Sequence, residues 1–156
     1  MDAPALAILT RLLRNERVAS LGTLRDGLPT VSLVPFAAGD RATLWLHLSG
    51  LALHTKDIAV DPRVSLMIAE RDDPARNPLS LARVSLRGNL ARISSEGEEY
   101  DNGKSTYLAK FPDSGLVFSL GDFALYRFTP ESARFVAGFG RAFDLDSAEL
   151  GRATHL

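Results

Sequence analysis

Asp26 and Gly27 lie between two runs in which apolar residues alternate with small or polar ones, 17–24 and 29–36. An Asp-Gly pair in this setting is one of the strongest local signals for a β-hairpin, because both residues tolerate the positive φ angles of a two-residue turn. The chain is therefore predicted to contain two antiparallel strands joined by a tight turn at Asp26-Gly27.

Five further strands are predicted from apolar runs and alternating patterns bounded by turn residues. They cover 42–48, 64–70, 81–93, 123–129 and 133–139. Gly88 is expected to mark a bulge within the long strand 81–93. Pro130-Glu131 is expected to separate the last two strands.

Three helices are predicted between these strands. The first lies within residues 1–14, where leucines at helical spacing follow a capping Asp2 and a proline at position 4, in the first turn. The second covers about 51–60 and the third 95–111. Strands joined mostly by hairpins, with few helices, predict an antiparallel barrel with attached helices and argue against a doubly wound parallel sheet.

Length and composition limit the class of protein. A chain of 156 residues with 46% hydrophobic residues can form one domain with its own core. We expect a single domain over 1–156 with a loosely held tail at 144–156. The net charge of −1, with basic residues spread along the chain, argues against nucleic acid as a partner. The sequence contains no cysteine, signal peptide or membrane-spanning run, so a cytoplasmic protein without membrane contact is expected.

Residues for conventional catalysis are sparse. The three histidines, His47, His54 and His155, are not accompanied by a Gly-x-Ser-x-Gly motif, which argues against a hydrolase. They also lack metal-ligand spacing, so no metal site is predicted. The 138–140 segment lacks the third glycine of a dinucleotide-binding motif. No catalytic residue is assigned, and a chain of this kind is expected to take its chemistry from a cofactor.

A candidate anion site follows the predicted third strand. If the second helix opens at Ser49, Lys56 lies about 20° away around the helix axis, and the hydroxyl and ammonium groups share one face. Free backbone N–H groups at a helix N-terminus would add donors for a phosphate. The alternative is that Ser49 is only an N-cap and Lys56 is a solvated surface charge.

The order of these segments resembles the split-barrel flavoproteins related to pyridoxamine 5′-phosphate oxidase, and most closely their haem-utilisation branch. The likeness covers about residues 5–145 and rests on short segments in the same order. They include Ala19-Ser-Leu-Gly-Thr-Leu, Leu48-Ser-Gly-Leu-Ala-Leu-His-Thr-Lys-Asp57 and Gly138-Phe-Gly-Arg-Ala142. The resemblance implies a mainly β fold, a six- to seven-stranded antiparallel split β-barrel with attached helices. It also implies a homodimer with flavin mononucleotide (FMN) at the subunit interface.

The resemblance further implies which residues bind the cofactor. The stretch from Ser49 to Lys56 matches the phosphate-binding segment, and 31–34 matches a strand whose backbone and Ser32 side chain line the flavin ring. Arg83 matches a residue near the cofactor, and Arg141 is expected to face the ring edge from the partner subunit. The alternatives are that Ser32 faces solvent and that Arg83 pairs with an acid. The predicted cofactor-binding residues are Ser32, Val34, Ser49, His54, Thr55, Lys56, Arg83 and Arg141.

Three functions follow from the resemblance. The main one is an FMN-dependent oxidoreductase that acts through flavin N5 on an unidentified small molecule. The alternative is a haem-binding or haem-degrading protein that uses the same interface crevice. The haem-utilisation branch often carries a further C-terminal tail that helps to hold haem, and the end of this chain at His155-Leu156 is expected to weigh against haem degradation. The third is a fold that has lost its ligand and serves as an interaction module.

Overall fold

Antiparallel strands make up most of the computed structural model, which describes residues 1–154. The strands are β1 (Val18–Arg25), β2 (Leu28–Pro35), β3 (Ala37–Ala38), β4 (Leu44–Ser49), β5 (Arg63–Ala69), β6 (Arg83–Arg92), β7 (Phe123–Val136) and β8 (Ala142–Asp146). The helices are α1 (Ala3–Asn15), α2 (Leu53–Val60), α3 (Glu98–Lys110) and α4 (Ser147–Thr154). Short 3₁₀ segments lie at Asp40–Ala42, Pro78–Ser80 and Pro112–Ser119.

The strands form one half-barrel. Hydrogen-bonded neighbours follow the order β2-β1-β5-β6-β7-β4-β3, and β8 pairs with β7. Every pairing is antiparallel. The predicted split barrel with attached helices is confirmed, and the short strands β3 and β8 bring the described sheet to eight strands.

Two local predictions in the sheet are confirmed. Asp26 and Gly27 form the hairpin turn with φ angles of 51° and 77°, and β1 and β2 pair from Arg25 opposite Leu28 onwards. The register of β6 against β7 shifts between Arg87 and Gly88, which is the predicted bulge. A Cβ atom on Gly88 would collide with the backbone of the facing strand, so this position requires glycine.

The predicted turn at Pro130-Glu131 is wrong, because β7 runs without a break from Phe123 to Val136. Pro130 cannot donate a ladder hydrogen bond, and a proline in a strand is tolerated at a bulge. Pro130 faces Gly88 at the bulge of β6, where the regular ladder is already interrupted. The strand therefore continues through the proline.

The prediction of a loosely held tail is also wrong for residues 144–154. β8 pairs with the last part of β7, and Leu150 of α4 is fully buried in the core. Asp146 and Glu149 accept hydrogen bonds from each other's backbone N–H groups, which is a capping box that begins α4. His155 and its predicted lack of a role lie outside the described residues.

Helices α1 and α3 cover different parts of the half-barrel. α1 buries Leu9 and Leu12 in the main core, and Asp2 caps it by accepting from the Ala5 N–H group, as predicted. α3 covers a smaller cluster around Trp45 and continues unbroken through Gly103. Among residues 1–154, no helix has the length and apolar character needed to cross a bilayer.

Gly103 is expected to be required by packing although it lies inside a helix. In Gly103→Ala the new methyl group would lie 2.6 Å from carbons of the Trp45 ring. We expect this variant to lose about 1–3 kcal/mol of stability from overpacking, in spite of the better helix propensity of alanine. Gly151→Ala in α4 is the control, because its methyl group would have no atom within 4 Å. Urea denaturation should show Gly151→Ala at least as stable as wild type, and equal effects of the two substitutions would contradict the packing argument.

Candidate functional site

A groove of about 530 Å³ lies beside α2. Its walls are α2, the end of β6 and the start of β7, together with the loop that holds Gly121 and Asp122. Two of the predicted site residues, Thr55 and Lys56, line it. Arg92 and Tyr126 also line it, and sequence reasoning missed both. The only local signal for Arg92 is its position at the end of a long strand, and the sequence does not reveal that this end meets α2.

Lys56 and Arg92 give the groove its positive charge. Neither side chain makes a hydrogen bond or an ion pair with another residue in the described range 1–154. Arg92 is the cross-strand partner of Tyr126, whose pKa is raised by burial against the opposing effect of the Arg92 charge. One acid, Asp122, also lines the groove. Two cations without an ion-pair partner, beside the Tyr126 hydroxyl, are suited to an anionic ligand.

The start of α2 differs from the arrangement used to predict the anion site. Ser49 is the last residue of β4, and α2 begins only at Leu53. The Ser49 hydroxyl donates to Asp122 over 3.1 Å and accepts from the Leu51 N–H group over 3.2 Å. The predicted helical face shared by Ser49 and Lys56 is therefore wrong, because the serine forms a local turn that delays the helix.

The other residues of the predicted phosphate segment differ in exposure. Thr55 is buried and donates to the Ser49 carbonyl over 2.7 Å. His54 is half-buried, and burial lowers its pKa against the opposing effect of Asp57. Lys56 is exposed. Only Lys56 thus presents a charge to the groove from this segment.

Asp57 fixes α2 against the first hairpin. The carboxylate is buried and accepts from both Nε and Nη2 of Arg25, at 2.9 and 3.0 Å, and from the Thr23 hydroxyl at 2.9 Å. The pKa of Asp57 lies below its usual range, mainly because of the hydrogen bond from Arg25. Sequence reasoning missed this network, since Asp57 is more than thirty residues from its partners. The network holds the helix that carries Lys56.

On the strand predicted to line the flavin ring, 31–34, the side chains that are most exposed are not the ones expected to contact the ring. Val34 is buried in the core, so only its backbone is available to a ligand, and Ser32 is half-buried. Val31 and Leu33 point to the other side of the sheet and are 74% and 71% exposed. The period of two along a strand explains this division.

Arg83 and Arg141 lie far from Lys56 within one copy of the chain. Arg83 is seven residues before Leu90 of the groove along β6, which corresponds to roughly 23 Å at 3.3 Å per residue. Its guanidinium donates to the Leu81 carbonyl. Arg141 pairs with Asp2 at the start of α1. The eight predicted residues therefore do not form one site within a single copy.

A second surface of interest is the exposed side of β2, β1, β5 and β6, which we call the outer face. Val31, Leu33 and Met67 are exposed on it. The strand register places small residues between them, and Arg87 in line with Val31. The small residues are Ser20, Gly22, Ser65 and Ser85. The outer face is thus flat and largely apolar, with Arg83 and Arg87 on β6.

His47 is buried in β4 within a group of aromatic side chains. Its ring stacks on Phe118 with 3.8 Å between centroids and an angle of 7°. Burial, followed by the charge of Lys104, lowers its pKa to about 4, so the imidazole is neutral at pH 7. Residues 1–154 contain no group of three or more His, Asp or Glu side chains placed to hold a metal ion.

Comparisons with known proteins agree on one family. The model of the family described as pyridoxamine 5′-phosphate oxidase matches residues 8–137. The chloroplastic heme oxygenase HOZ of Arabidopsis thaliana is 37% identical over 81% of this chain and 37% of its own length, so the chain spans well under half of that relative. Heme oxygenase HutZ of Vibrio cholerae is 29% identical over 84% of this chain and 74% of its own length. A heme binding protein from Mycobacterium smegmatis has a TM-score of 0.87 at 25% identity, covering 97% of this chain and 62% of that chain.

Asp57→Asn is expected to destabilise the protein in a pH-dependent way. The pKa of Asp57 is lowered in the folded state, so its contribution is present above the pKa of the unfolded chain and is lost as the pH falls through the folded value. The difference in urea midpoint between wild type and variant should be large at pH 7 and should shrink below about pH 4. A difference that stays constant from pH 7 to pH 3 would show that the ion pair does not contribute in this way.

Proposed function

The chain belongs to the pyridoxamine 5′-phosphate oxidase family, and we propose that it is a haem-binding and haem-degrading protein that acts as a homodimer. The observation that carries the proposal is the 37% identity to a heme oxygenase over 81% of the chain. A second relative over much the same length is also a heme oxygenase. The haem alternative is thus better supported than the FMN oxidoreductase expected as the main function.

The outer face is the surface that we assign to the second copy of the chain. Val31 and Leu33 expose large apolar side chains to water on a folded sheet, and covering such side chains is favourable. Gly22 keeps the surface flat, because a Cβ atom there would lie 2.5 Å from the Ser65 hydroxyl. A flat apolar surface can pair with its own copy about a twofold axis.

The same face has the properties needed to bind haem. Haem combines an apolar ring with carboxylate side chains, and the outer face combines apolar side chains with Arg83 and Arg87. The guanidinium groups would hold the carboxylates, and Val31, Leu33 and Met67 would contact the ring. Bound haem supplies an iron that reacts with oxygen when an external reductant is present. The residues of this chain would bind and orient the ring and limit its contact with water.

Within residues 1–154, the outer face offers no histidine that could ligate the haem iron. Of the two histidines within 1–154, His47 is enclosed by aromatic rings and His54 is half-buried in α2. Neither lies on the outer face. We therefore assign no axial ligand to this surface.

A visible spectrum during titration with haem and FMN, side by side, tests the proposed function. Haem bound at a defined site should give an intense Soret band that saturates at a fixed ratio of haem to protein. Saturable flavin bands without haem binding would favour the oxidoreductase. A protein that binds neither ligand would favour the interaction module.

Leu33→Asp is expected to disrupt both the dimer and haem binding, because it places a charge in the apolar part of the outer face. Leu51→Asp is the matched control, since Leu51 is 74% exposed and lies before α2, away from that face. Sedimentation should show a monomer for Leu33→Asp and a dimer for Leu51→Asp. The haem affinity should fall at least tenfold only in Leu33→Asp. Equal behaviour of the two variants would contradict the assignment of the outer face.

FMN is the second candidate ligand, and the groove beside α2 supports it. Lys56 and Arg92 have side chains without an ion-pair partner within the described range and would hold the phosphate, with a hydroxyl donor from Tyr126. In this alternative the flavin carries out redox chemistry, and the protein fixes its position.

Lys56→Glu separates the phosphate contact from the ring contacts. We expect the variant to weaken FMN by at least tenfold and riboflavin far less, because only FMN carries the phosphate whose neighbouring charge is reversed. Arg71→Glu, a charge reversal in an exposed loop, is the control and should leave both affinities unchanged. Fluorescence titration measures both ligands. An equal loss for FMN and riboflavin would place the phosphate elsewhere.

A further inference from the structure

A second and larger cleft, of about 1010 Å³, lies between α1 and α3. Its floor is Trp45 of β4 and Arg127 of β7, and its rim is the turn 39–43. The cleft shares no lining residue with the groove beside α2. Its volume is at the upper end of the range found for small-molecule sites. None of the functions proposed above uses it.

The rim of this cleft has a backbone conformation that is unfavourable for its residues. Arg41 and Ala42 have φ angles of 52° and 59°, in the left-handed region that residues other than glycine rarely adopt. Ala42 is buried in the same core cluster as Leu150 of α4, so packing holds the turn in place. Consecutive strained residues that border a cleft are a known mark of functional sites. The strain keeps Arg41 at the rim of the cleft.

The rim turn packs closely against Trp45, which requires glycine at position 39. A Cβ atom on Gly39 would lie 2.7 Å from Nε1 of Trp45. The indole N–H group has no acceptor among residues 1–154, and it is not among the buried polar atoms, so it is accessible at the wall of the cleft. An accessible donor without a partner in a cleft can donate a hydrogen bond to a bound ligand.

The remaining polar groups favour a ligand with negative charge. Nε of Arg127 is buried without a partner within the described chain, while the guanidinium also pairs with Glu99. Lys110 lines the opposite wall, and its ammonium donates to the Glu16 carbonyl and lies 4.2 Å from the centroid of the Phe36 ring. Asp40, Glu98 and Glu99 are the acids of the lining, and Arg14 is a further base. Bases in the lining exceed acids by one, which favours a ligand with negative charge.

We propose that the cleft between α1 and α3 is a second ligand site, and that it binds a small organic anion whose carboxylate or phosphate lies at the corner formed by Gly39, Arg41 and Trp45. The Trp45 N–H group and the Arg41 guanidinium donate to the anion at this corner. Lys110 faces it from the α3 wall. The remainder of the ligand lies along the cleft between the two helices.

The single tryptophan of the chain makes this site directly observable. In ¹⁵N-labelled protein the one indole N–H resonance belongs to Trp45, and it can be followed during titration with citrate, AMP and inorganic phosphate at fixed ionic strength. We expect a saturable shift of this resonance with citrate or AMP. Potassium chloride at equal ionic strength should cause none.

Arg41→Gly and Arg41→Lys test the corner without loss of the fold. Glycine accepts the positive φ angle without strain, so Arg41→Gly should fold at least as well as wild type while it loses the charge. We expect Arg41→Gly to weaken binding about tenfold and Arg41→Lys to retain most of it.

Lys56→Glu, in the other groove, should leave the titration unchanged, which separates this proposal from the haem and FMN proposals. The absence of a saturable indole shift with all three probes would overturn the proposal. Unchanged affinity in Arg41→Gly would do the same.

Discussion

The course of β7, which runs without a break from Phe123 to Val136 and pairs with β4, β6 and β8, determines where both cavities lie. Through this strand Tyr126 lies opposite Arg92 in the groove beside α2, and the next residue, Arg127, points to the cleft between α1 and α3. Its far end pairs with Arg83 and with β8, which leads into α4. A turn at Pro130 would have separated these regions. The bulge at Gly88 is therefore a requirement of the fold, because it lets the partner strand pass a proline.

Strand β2 carries apolar side chains on both of its sides, and only one side is buried in the core. On β2 the side chain of Val34 is buried, whereas Val31 and Leu33 are exposed although they are equally apolar. In a single copy this arrangement leaves apolar surface in water, and a second copy with haem between the subunits would cover it. The outer face also carries Arg83, which lies too far from Lys56 to act with it in one chain. Haem at the outer face and FMN beside α2 would thus be bound by different residues of the same fold.

The parts of the fold set by local sequence were predictable. The Asp26-Gly27 turn, the cap at Asp2 and the bulge at Gly88 each depend on backbone preferences of one or two residues. The resemblance to the family supplied the type of barrel, a split barrel. The capping box of Asp146 and Glu149 was also visible in the sequence and would have predicted α4, so the loose tail was an avoidable error.

The contacts that build the candidate sites were not predictable, because they join distant segments. Asp57 meets Arg25 across the first hairpin, and Arg92 meets α2 at the end of a strand. No helix begins at Ser49, because its hydroxyl bonds to Asp122, more than seventy residues away, and to the nearby Leu51 N–H group. Local patterns identified which residues were chemically suitable, and the sheet topology decided which of them meet.

The most direct test of haem binding at the outer face is NMR of protein with ¹³C-labelled valine and leucine methyl groups, titrated with ferric haem. Paramagnetic iron broadens the signals of nearby methyl groups, so the position of the ring can be read from the signals that disappear first. The expected result is early loss of the Val31 and Leu33 signals, while Leu51 and Leu53 beside α2 remain sharp. Early loss of the Leu51 and Leu53 signals, with Val31 and Leu33 unaffected, would contradict the assignment.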